Sequence, residues 1–508
     1  MSLPLRTLLP DFFMFPFYMV VTFLAMSGFL VVRAIPLPAG AALHSTITIT
    51  TKSTVDFGGE CSGRTLYHII KSCLVMIAAC VYRSVHQNIP DPSSSMWGRL
   101  KVKFKIAFYG LIAPNMMICW AMRQRFGADV VAAEINKISP ELQWTQTHGH
   151  FAQMGGFGRT DNKQILHPHT LIELLKNGQL DIKELQLTKT EIQRTSRTDI
   201  FTKFIVASQT AWFVVASITR LWWPLPLSEL EVMALGFSMM SVITYALWWN
   251  KPLNVLSPVY IHIRPLPTSQ RPTSPSVSTE TFAEDHPQVT GRASVFCTSS
   301  SLAVIGDALK DVIPSLASRV LPFKRDTKKN SWYLTTWKRL IKEPFLLLVM
   351  PLRELFDDES VDSEARNVST FYGMCIPQAK RNLVLLLCSL ISLIFAAIHF
   401  LSWNSTFPTH TQLLLWRGSS IVLAAQPCLL LLLHRVDQVY LRMPKGTWRQ
   451  TVVRVTCEIF VIVGIFIGPV VYIVARLCLL VLAFLTLRDL PPTAFMDISW
   501  TSYIPHLE

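Results

Sequence analysis

The chain has 508 residues, of which 50% are hydrophobic and only 16% are charged, and its mean hydropathy is +0.36. A soluble protein carries about 25% charged residues, so the composition excludes an ordinary soluble domain and favours a membrane protein. The net charge of +14 lies in loops between apolar runs, where it bears on membrane topology. Basic residues form no stripe with interleaved aromatics, so we expect no nucleic-acid partner. The ten cysteines include no C-x-x-C pair, which excludes zinc and redox motifs of that kind.

The N-terminal region contains two long apolar runs and one weaker run. Residues 12–32 form a first membrane anchor followed by an external loop to residue 64; we expect it to stay uncleaved, with removal as a signal segment as the alternative. Residues 65–82 form the second span. The run at 106–122 is short and contains Pro114, so within the region 65–122 it predicts a re-entrant or interfacial segment or a further crossing.

Residues 123–203 read as a soluble loop of short helices. The spacing Thr188-Lys-Thr-Glu191 is that of a capping box and predicts a helix start. His148-Gly-His150 and His167-Pro-His169 are two H-x-H pairs, and four imidazoles can hold zinc or a similar metal. The alternative is four histidines with structural roles, which we favour, so we expect no metal or cofactor.

Residues 204–254 contain two apolar runs of membrane length joined by a proline-containing turn, which predicts a transmembrane hairpin. The pairs Trp222-Trp223 and Trp248-Trp249, with Lys251, are typical of anchors at the membrane interface.

Three ionisable residues in or beside the spans are candidates for buried charges: Arg220, Glu231 and Glu458. A charge near the bilayer centre costs a few kcal/mol or more. We expect Glu231 and Glu458 to pair with Arg220 or Arg454, and we favour a structural ion pair over an ion-coupling site.

Residues 255–382 form the longest loop, and its part 264–300 is rich in Pro, Ser and Thr, a composition typical of disordered linkers. A C-terminal transmembrane bundle follows at 383–487, before a tail at 488–508. Its spans are residues 383–401, 412–433 and 456–475, and residues 476–487 either extend the last span or turn along the interface.

Two glycosylation sequons constrain the topology. Asn404-Ser-Thr lies in the short loop after the span 383–401, and Asn367-Val-Ser lies before that span, so both cannot face the lumen. The basic loop after residue 433 predicts a cytosolic location, which places Asn404 outside and residues 250–382 inside. When the sides of the membrane are alternated span by span back from Asn404, the loops before and after residues 106–122 fall on the same side. This run is therefore predicted not to cross the membrane. The predicted fold is therefore an all-α membrane protein with about seven transmembrane helices and one re-entrant or interfacial segment; the alternative is eight crossings.

Several stretches carry a shared pattern: RTLYHIIKSCLVMIAACVYRSVHQNIP from Arg64, THGHFAQMGGF at 147–157, QTAWFVVASITR, WWNKPLNV, STFYGM at 369–374, ARLCLLVLAFLTLRDLPPTAF and WTSYIPHL. Together they resemble a large family of uncharacterised fungal multi-pass integral membrane proteins. The chain has Asn254 where that family often has Asp, and Leu482 where it often has Glu, so no role of those carboxylates carries over. The resemblance implies a multi-pass helical protein and no particular activity.

The sequence thus favours an integral multi-pass membrane protein, with the lipid bilayer as its partner and a structural, receptor or scaffold role. A transporter or channel for a small solute or ion is the alternative, and it predicts broken helices near the membrane midplane. A membrane-embedded enzyme is the third possibility.

Overall fold

The structure is a computed structural model that describes residues 64–195, 200–223, 225–264, 366–442 and 448–496. The predicted anchor at 12–32 lies outside these residues, as do the predicted linker after residue 264 and the tail after residue 496.

The described chain is mainly helical, as the sequence predicted. Its helices are α1 (Leu66–Arg83), α2 (Met96–Ile112), α3 (Pro114–Ile138), α4 (Gln146–Gln153), α5 (Pro168–Lys176), α6 (Ile182–Leu185), α7 (Lys189–Thr195), α8 (Ile200–Trp222), α9 (Glu229–Leu247), α10 (Gln378–His399), α11 (His410–Arg442) and α12 (Trp448–Leu485). Short 3-10 turns follow α10 and α12.

Two short strands pair in parallel: β1 (Phe157–Arg159) and β2 (Val259–Ile261), with Phe157 opposite Val259. A bridge between Leu180 and Ile263 extends the contact. These pairings join the segment after α9 to the region of α4 to α7. We call residues 139–195, 248–264 and 366–376, which pack together beside the helical bundle, the cap.

Four helices of the described chain are long and apolar enough to cross a membrane: Glu229–Leu247, Gln378–Ser402, His410–Arg435 and Ile467–Asp489. A fifth is present if the bent pair α2 and α3 counts as one span. The predicted total of about seven is therefore too high for the described residues. Helix α1 is short for a span, and several side chains of α8 lie outside the described part.

The last predicted span lies within one long helix. Helix α12 runs unbroken from Trp448 to Leu485 and so contains the predicted span at 456–475, of which the side chains before Ile467 lie outside the described part of the chain. Residues 476–485 extend this helix, and a 3-10 turn at Thr486–Asp489 completes the span, so this region does not turn along the interface.

Helices α2 and α3 meet at a sharp break at Ala113, where their axes differ by 115°. Pro114 occupies the first position of α3, where its missing N–H leaves no hydrogen bond unmade. The amide Nε2 of Gln124 in α3 donates to the Oδ1 of Asn88, which precedes α2, at 3.1 Å. The two helices therefore fold back towards each other at this break, which is the geometry of either a broken span or a re-entrant loop.

Helix α9 is the centre of the bundle, since it packs against α1, α3, α8, α10 and α12. Its apolar window is 78% buried, against 28–44% for the other three candidate spans. Those outer helices expose large apolar side chains such as Leu414, Leu430 and Val474. Such a belt is the surface expected to face lipid.

Candidate functional site

A buried lysine joins the end of α9 to the cap. Lys251 follows α9 in a turn that its N–H closes on the carbonyl of Trp248, and it is only 1% exposed. Its ammonium Nζ donates to the backbone carbonyl of His86 at 2.5 Å, to Gln124 Oε1 at 2.8 Å and to Asn88 Oδ1 at 3.2 Å. One side chain thus holds the segment after α1, helix α3 and the end of α9 together. We call Lys251 with these partners the Lys251 centre.

Two indole rings enclose the same ammonium. Nζ lies 4.9 Å from the ring centroid of Trp120 and 4.8 Å from that of Trp248, and the two rings meet edge to face. Cation–π contacts of a desolvated ammonium contribute about 2 kcal/mol. The interpretation of Trp248 and Lys251 as interface anchors is therefore wrong, because both are buried, whereas Trp222, Trp223 and Trp249 are exposed as anchors would be.

The charge of Lys251 is set by two opposing effects. Burial lowers the pKa of its ammonium well below the ordinary value. An ammonium has three N–H donors, and the three oxygen acceptors and two indole faces match them. A neutral amine has only two N–H donors and makes no cation–π contact, so these contacts favour the charged form and oppose the effect of burial.

Gln124 extends the Lys251 centre to the segment 366–376. Its Nε2 donates to the carbonyl of Tyr372 at 2.8 Å, and the indole N–H of Trp120 donates to the same carbonyl at 3.0 Å. Gln153 donates to the carbonyl of Gln124 at 3.0 Å and accepts from the N–H of Met374 at 3.3 Å. The loop before α10 is thus held on α3 by buried hydrogen bonds, each of which is costly to leave unmade.

The first histidine pair has two different structural roles. His148 accepts from the backbone N–H of Thr145 at its Nδ1, at 3.0 Å, and donates from Nε2 to the carbonyl of Leu187 at 2.8 Å. Both ring nitrogens are used, so His148 caps α4 and cannot also bind a metal without losing these bonds. His150 is fully buried, and its ring nitrogens lack hydrogen-bond partners among the described residues. Burial, with the nearby Lys251 charge, lowers the pKa of His150 well below its ordinary range.

The second pair does not join the first. His167 packs edge to face on Tyr372, and burial lowers its pKa from 6.5 to about 4, whereas His169 lies in the first turn of α5. In the described residues, no three His, Cys, Asp or Glu side chains are placed together to hold a metal ion. The structure therefore does not bring the four histidines into one ligand set.

His167 makes the cap sensitive to acid. The folded-state pKa of about 4 lies below the ordinary 6.5, so below pH 6.5 the unfolded chain takes up a proton that the folded chain excludes. We expect stability to fall as the pH drops from 6.5 towards 4, by at most about 1.4 kcal/mol per pH unit. Unfolding temperatures of the detergent-solubilised protein across this range measure the slope. His167→Phe should reduce it and the exposed His410→Phe should not; equal slopes in all three proteins would contradict the assignment.

Glu231 forms an ion pair at the opposite end of α9, but not with the predicted arginine. Arg64 Nη1 donates to Glu231 Oε1 at 2.5 Å and Nη2 to Oε2 at 3.2 Å. Oε2 also accepts from the backbone N–H of Ser228 at 2.9 Å, which completes a capping box for α9. Arg220 instead donates to the carbonyls of Met496 and Ala494. The pairing of Glu231 with Arg220 is therefore wrong. Arg64 Nε also donates to the carbonyl of Ala494, at 2.8 Å, so both arginines hold the C-terminal segment near the hairpin turn.

The Arg64–Glu231 pair should show measurable coupling. We expect a double-mutant cycle with Arg64→Met and Glu231→Gln to give about 1–3 kcal/mol, because the side chains are only 16% and 6% exposed. Arg264–Asp181 is a matched control: its distance is also 2.5 Å, but its side chains are 62% and 34% exposed, so its coupling should stay below about 1 kcal/mol. Denaturant unfolding of the variants measures both cycles. If the coupling energy of Arg64–Glu231 were no larger than that of Arg264–Asp181, the buried ion pair would not be a structural contact that stabilises the fold.

Glu458 and Arg454 lie in the backbone of α12, and their side chains are outside the described part of the chain. The predicted pairing of Glu458 with an arginine stays a prediction.

A second buried cation, Arg476, lies within the span Ile467–Asp489 rather than just beyond the predicted span at 456–475. It is 0% exposed. Its Nη1 donates to His399 Nε2 at 3.1 Å, and Nη2 donates at a longer 3.4 Å to the carbonyl of Leu111, in the last turn of α2. The Nδ1 of His399 donates to the carbonyl of Phe395 at 2.9 Å, which fixes the tautomer that accepts from Arg476. Because helix carbonyls at a C-terminus lack intrahelical partners, Arg476 stabilises the break between α2 and α3.

The chain matches, over residues 41–265 and 367–507, the model of a family described as a family of unknown function (DUF8562). No curated protein and no solved structure matches the chain.

Proposed function

Since the chain belongs to the DUF8562 family of unknown function, we propose its role from geometry alone: an integral multi-pass membrane protein with a structural, scaffold or receptor role. The observation that carries this proposal is the Lys251 centre, in which a charged side chain that could have served as an ion-coupling site has all its donors engaged by fixed protein groups.

An ion-coupling charge must exchange its partner during a transport cycle, so it needs partners that can leave. The acceptors around Lys251 are a backbone carbonyl and two amides that are themselves hydrogen-bonded. Glu231 is held in the same way by Arg64 and by the amide of Ser228. Both charges therefore support a fixed structure in which the bundle carries the cap at one end.

The lipid bilayer is the proposed partner of the exposed apolar belt, and the two sequons lie at opposite ends of that belt. Asn404 is near the start of α9, because Ser405 interacts with Glu229. Asn367 is in the cap, where Ser369 accepts from Asn88 at 3.0 Å. Both asparagines are exposed. At most one end can therefore be glycosylated.

Two features of the cap end favour different compartments. Exposed Lys101 and Lys105 on α2 favour the cytosol, as does the basic end of α11. Cys375 is disulfide-bonded, a bond typical of oxidising compartments. We propose that the basic residues, which are more numerous than the single disulfide-bonded cysteine, determine the orientation. The cap then lies in the cytosol and Asn404 lies outside.

Glycosylation of the full-length protein tests this orientation. In a eukaryotic host we expect one glycan, removed by Asn404→Gln and unaffected by Asn367→Gln, because only the outside sequon meets the transferase. Mobility on gels before and after glycosidase treatment measures it. A glycan lost only in Asn367→Gln would reverse the orientation and place the cap in the lumen.

Reconstitution tests the structural role itself. Full-length protein in liposomes, loaded with pH-sensitive or chloride-sensitive dyes, should give the same proton and chloride leak as liposomes without protein. A protein-dependent flux that Lys251→Met abolishes would contradict the proposal and favour an ion-coupling site.

A transporter or channel is the second candidate, and one observation favours it. The break between α2 and α3 brings a helix C-terminus to Arg476 inside the bundle, and broken helices at mid-membrane are typical of solute sites in transporters. No observation in the described residues favours the third possibility, a membrane-embedded enzyme.

A further inference from the structure

We propose that the Arg476 centre, formed by Arg476, His399 and Tyr472, binds a small monovalent anion such as chloride or formate. This inference goes beyond the structural role and does not depend on it.

The charge of Arg476 has no carboxylate partner among the described residues. Its contacts there are a neutral imidazole, the carbonyl of Leu111 and the sulfur of Met233. The aromatic faces of Phe237 and Phe395 lie 5.2 and 4.9 Å from its guanidinium carbon. The end of a helix contributes only about half an elementary charge. A positive charge therefore remains uncompensated inside a candidate span, where an unpaired ion is costly.

Two donors at this centre are unused. The Nε of Arg476 is buried and has no hydrogen-bond partner within the described chain, and the same is true of the hydroxyl of Tyr472. Tyr472 lies one helical turn before Arg476 in α12, so both side chains leave the helix on the same face. Buried donors without a partner are rare in native proteins, and an anion accepting from both would satisfy them together.

The number of donors limits the size and charge of the ligand. Two free donors, one of them on the guanidinium that supplies the single positive charge, suit an ion with a single charge and few acceptor atoms. A phosphate group would bring about two charges and three strong acceptor oxygens, more than this centre can satisfy. We therefore infer a halide or a small carboxylate rather than a phosphate.

The experiment is thermal unfolding of the full-length protein in nanodiscs of zwitterionic lipid, titrated with sodium chloride or sodium formate. Sodium gluconate, whose anion is much larger than chloride or formate, keeps the ionic strength constant. We expect a saturable rise in the unfolding temperature of the wild type, because a ligand that binds only the folded state stabilises it. The apparent affinity should fall at least about tenfold in Arg476→Gln and several-fold in Tyr472→Phe.

Two variants keep the test decisive if Arg476→Gln does not fold. Tyr472→Phe removes only the unpartnered hydroxyl, so it should fold and still bind more weakly. Arg417→Gln changes a guanidinium at the bundle end, where it donates to the carbonyl of Trp403, and should respond like the wild type. The proposal is overturned if neither anion gives a saturable shift in the wild type, or if Tyr472→Phe keeps wild-type affinity. Protein-dependent chloride flux, lost in Arg476→Gln, would support the anion site while contradicting the structural role.

Discussion

Replacing Lys251 by methionine should destabilise the protein by about 2–4 kcal/mol. The substitution keeps a long side chain but takes the only ammonium from three acceptors, those of His86, Asn88 and Gln124. It also removes the contacts with two indole faces. The gain from no longer burying a charge offsets part of this loss, which is why we do not expect the full sum of three hydrogen bonds. Denaturant unfolding of the solubilised protein measures the difference.

Lys176→Met is the matched control for Lys251→Met. Lys176 is exposed at the end of α5, so its replacement should change stability by less than about 0.5 kcal/mol. A Lys251→Met protein as stable as this control would show that the ammonium does not hold the cap.

The second large effect is expected at Gly149, where α4 crosses α3. A Cβ at this position would lie 2.1 Å from the carbonyl oxygen of Ala128 and 2.7 Å from its carbon, and backbone atoms cannot move aside as a flexible side chain can. Gly149→Ala should therefore cost about 3 kcal/mol or more, at the upper end for overpacked sites. The loss should appear as a lower unfolding temperature and a smaller yield of folded protein.

Gly418→Ala is the control for Gly149→Ala, and we do not expect it to lower the stability of the protein. Gly418 lies within helix α11, and no described atom outside its own stretch of helix lies within 4 Å of the position that an added Cβ would take. Alanine is favoured over glycine in a helix interior by up to about 1 kcal/mol, so this variant should be unchanged or slightly more stable. If Gly149→Ala behaved in the same way, the close crossing of α3 and α4 would be incorrect.

Local patterns in the sequence predicted those parts of the fold that depend on neighbours in the chain. The proline-containing turn predicted between the two apolar runs of 204–254 separates α8 from α9, and Thr188 and Glu191 form the capping box that their spacing predicted. Pro114 marked the break between α2 and α3. Asn254 adopts a φ of 57°, in a left-handed region that Asn tolerates better than most residues.

The candidate sites could not be predicted because they join residues far apart in sequence. Glu231 was identified as a charge of interest, but its partner Arg64 is 167 residues away. Lys251 resembled an interface anchor because WWNKP has the composition of one, and only the packing of Trp120 on Trp248 shows that it is enclosed. Arg476 lies just beyond the predicted span at 456–475, and helix α12 continues past that boundary to Leu485. An Arg or Lys close to aromatic residues, within or next to an apolar run, is the sequence feature that could have indicated these buried cations.

Hydrogen–deuterium exchange of the full-length protein in nanodiscs, compared between wild type and Lys251→Met, tests most directly the claim that the Lys251 centre locks the cap to the bundle. Exchange reports local opening, so the lock predicts faster exchange in the variant at residues 366–376, with unchanged exchange in α11. Unchanged protection of residues 366–376 in Lys251→Met would contradict the claim.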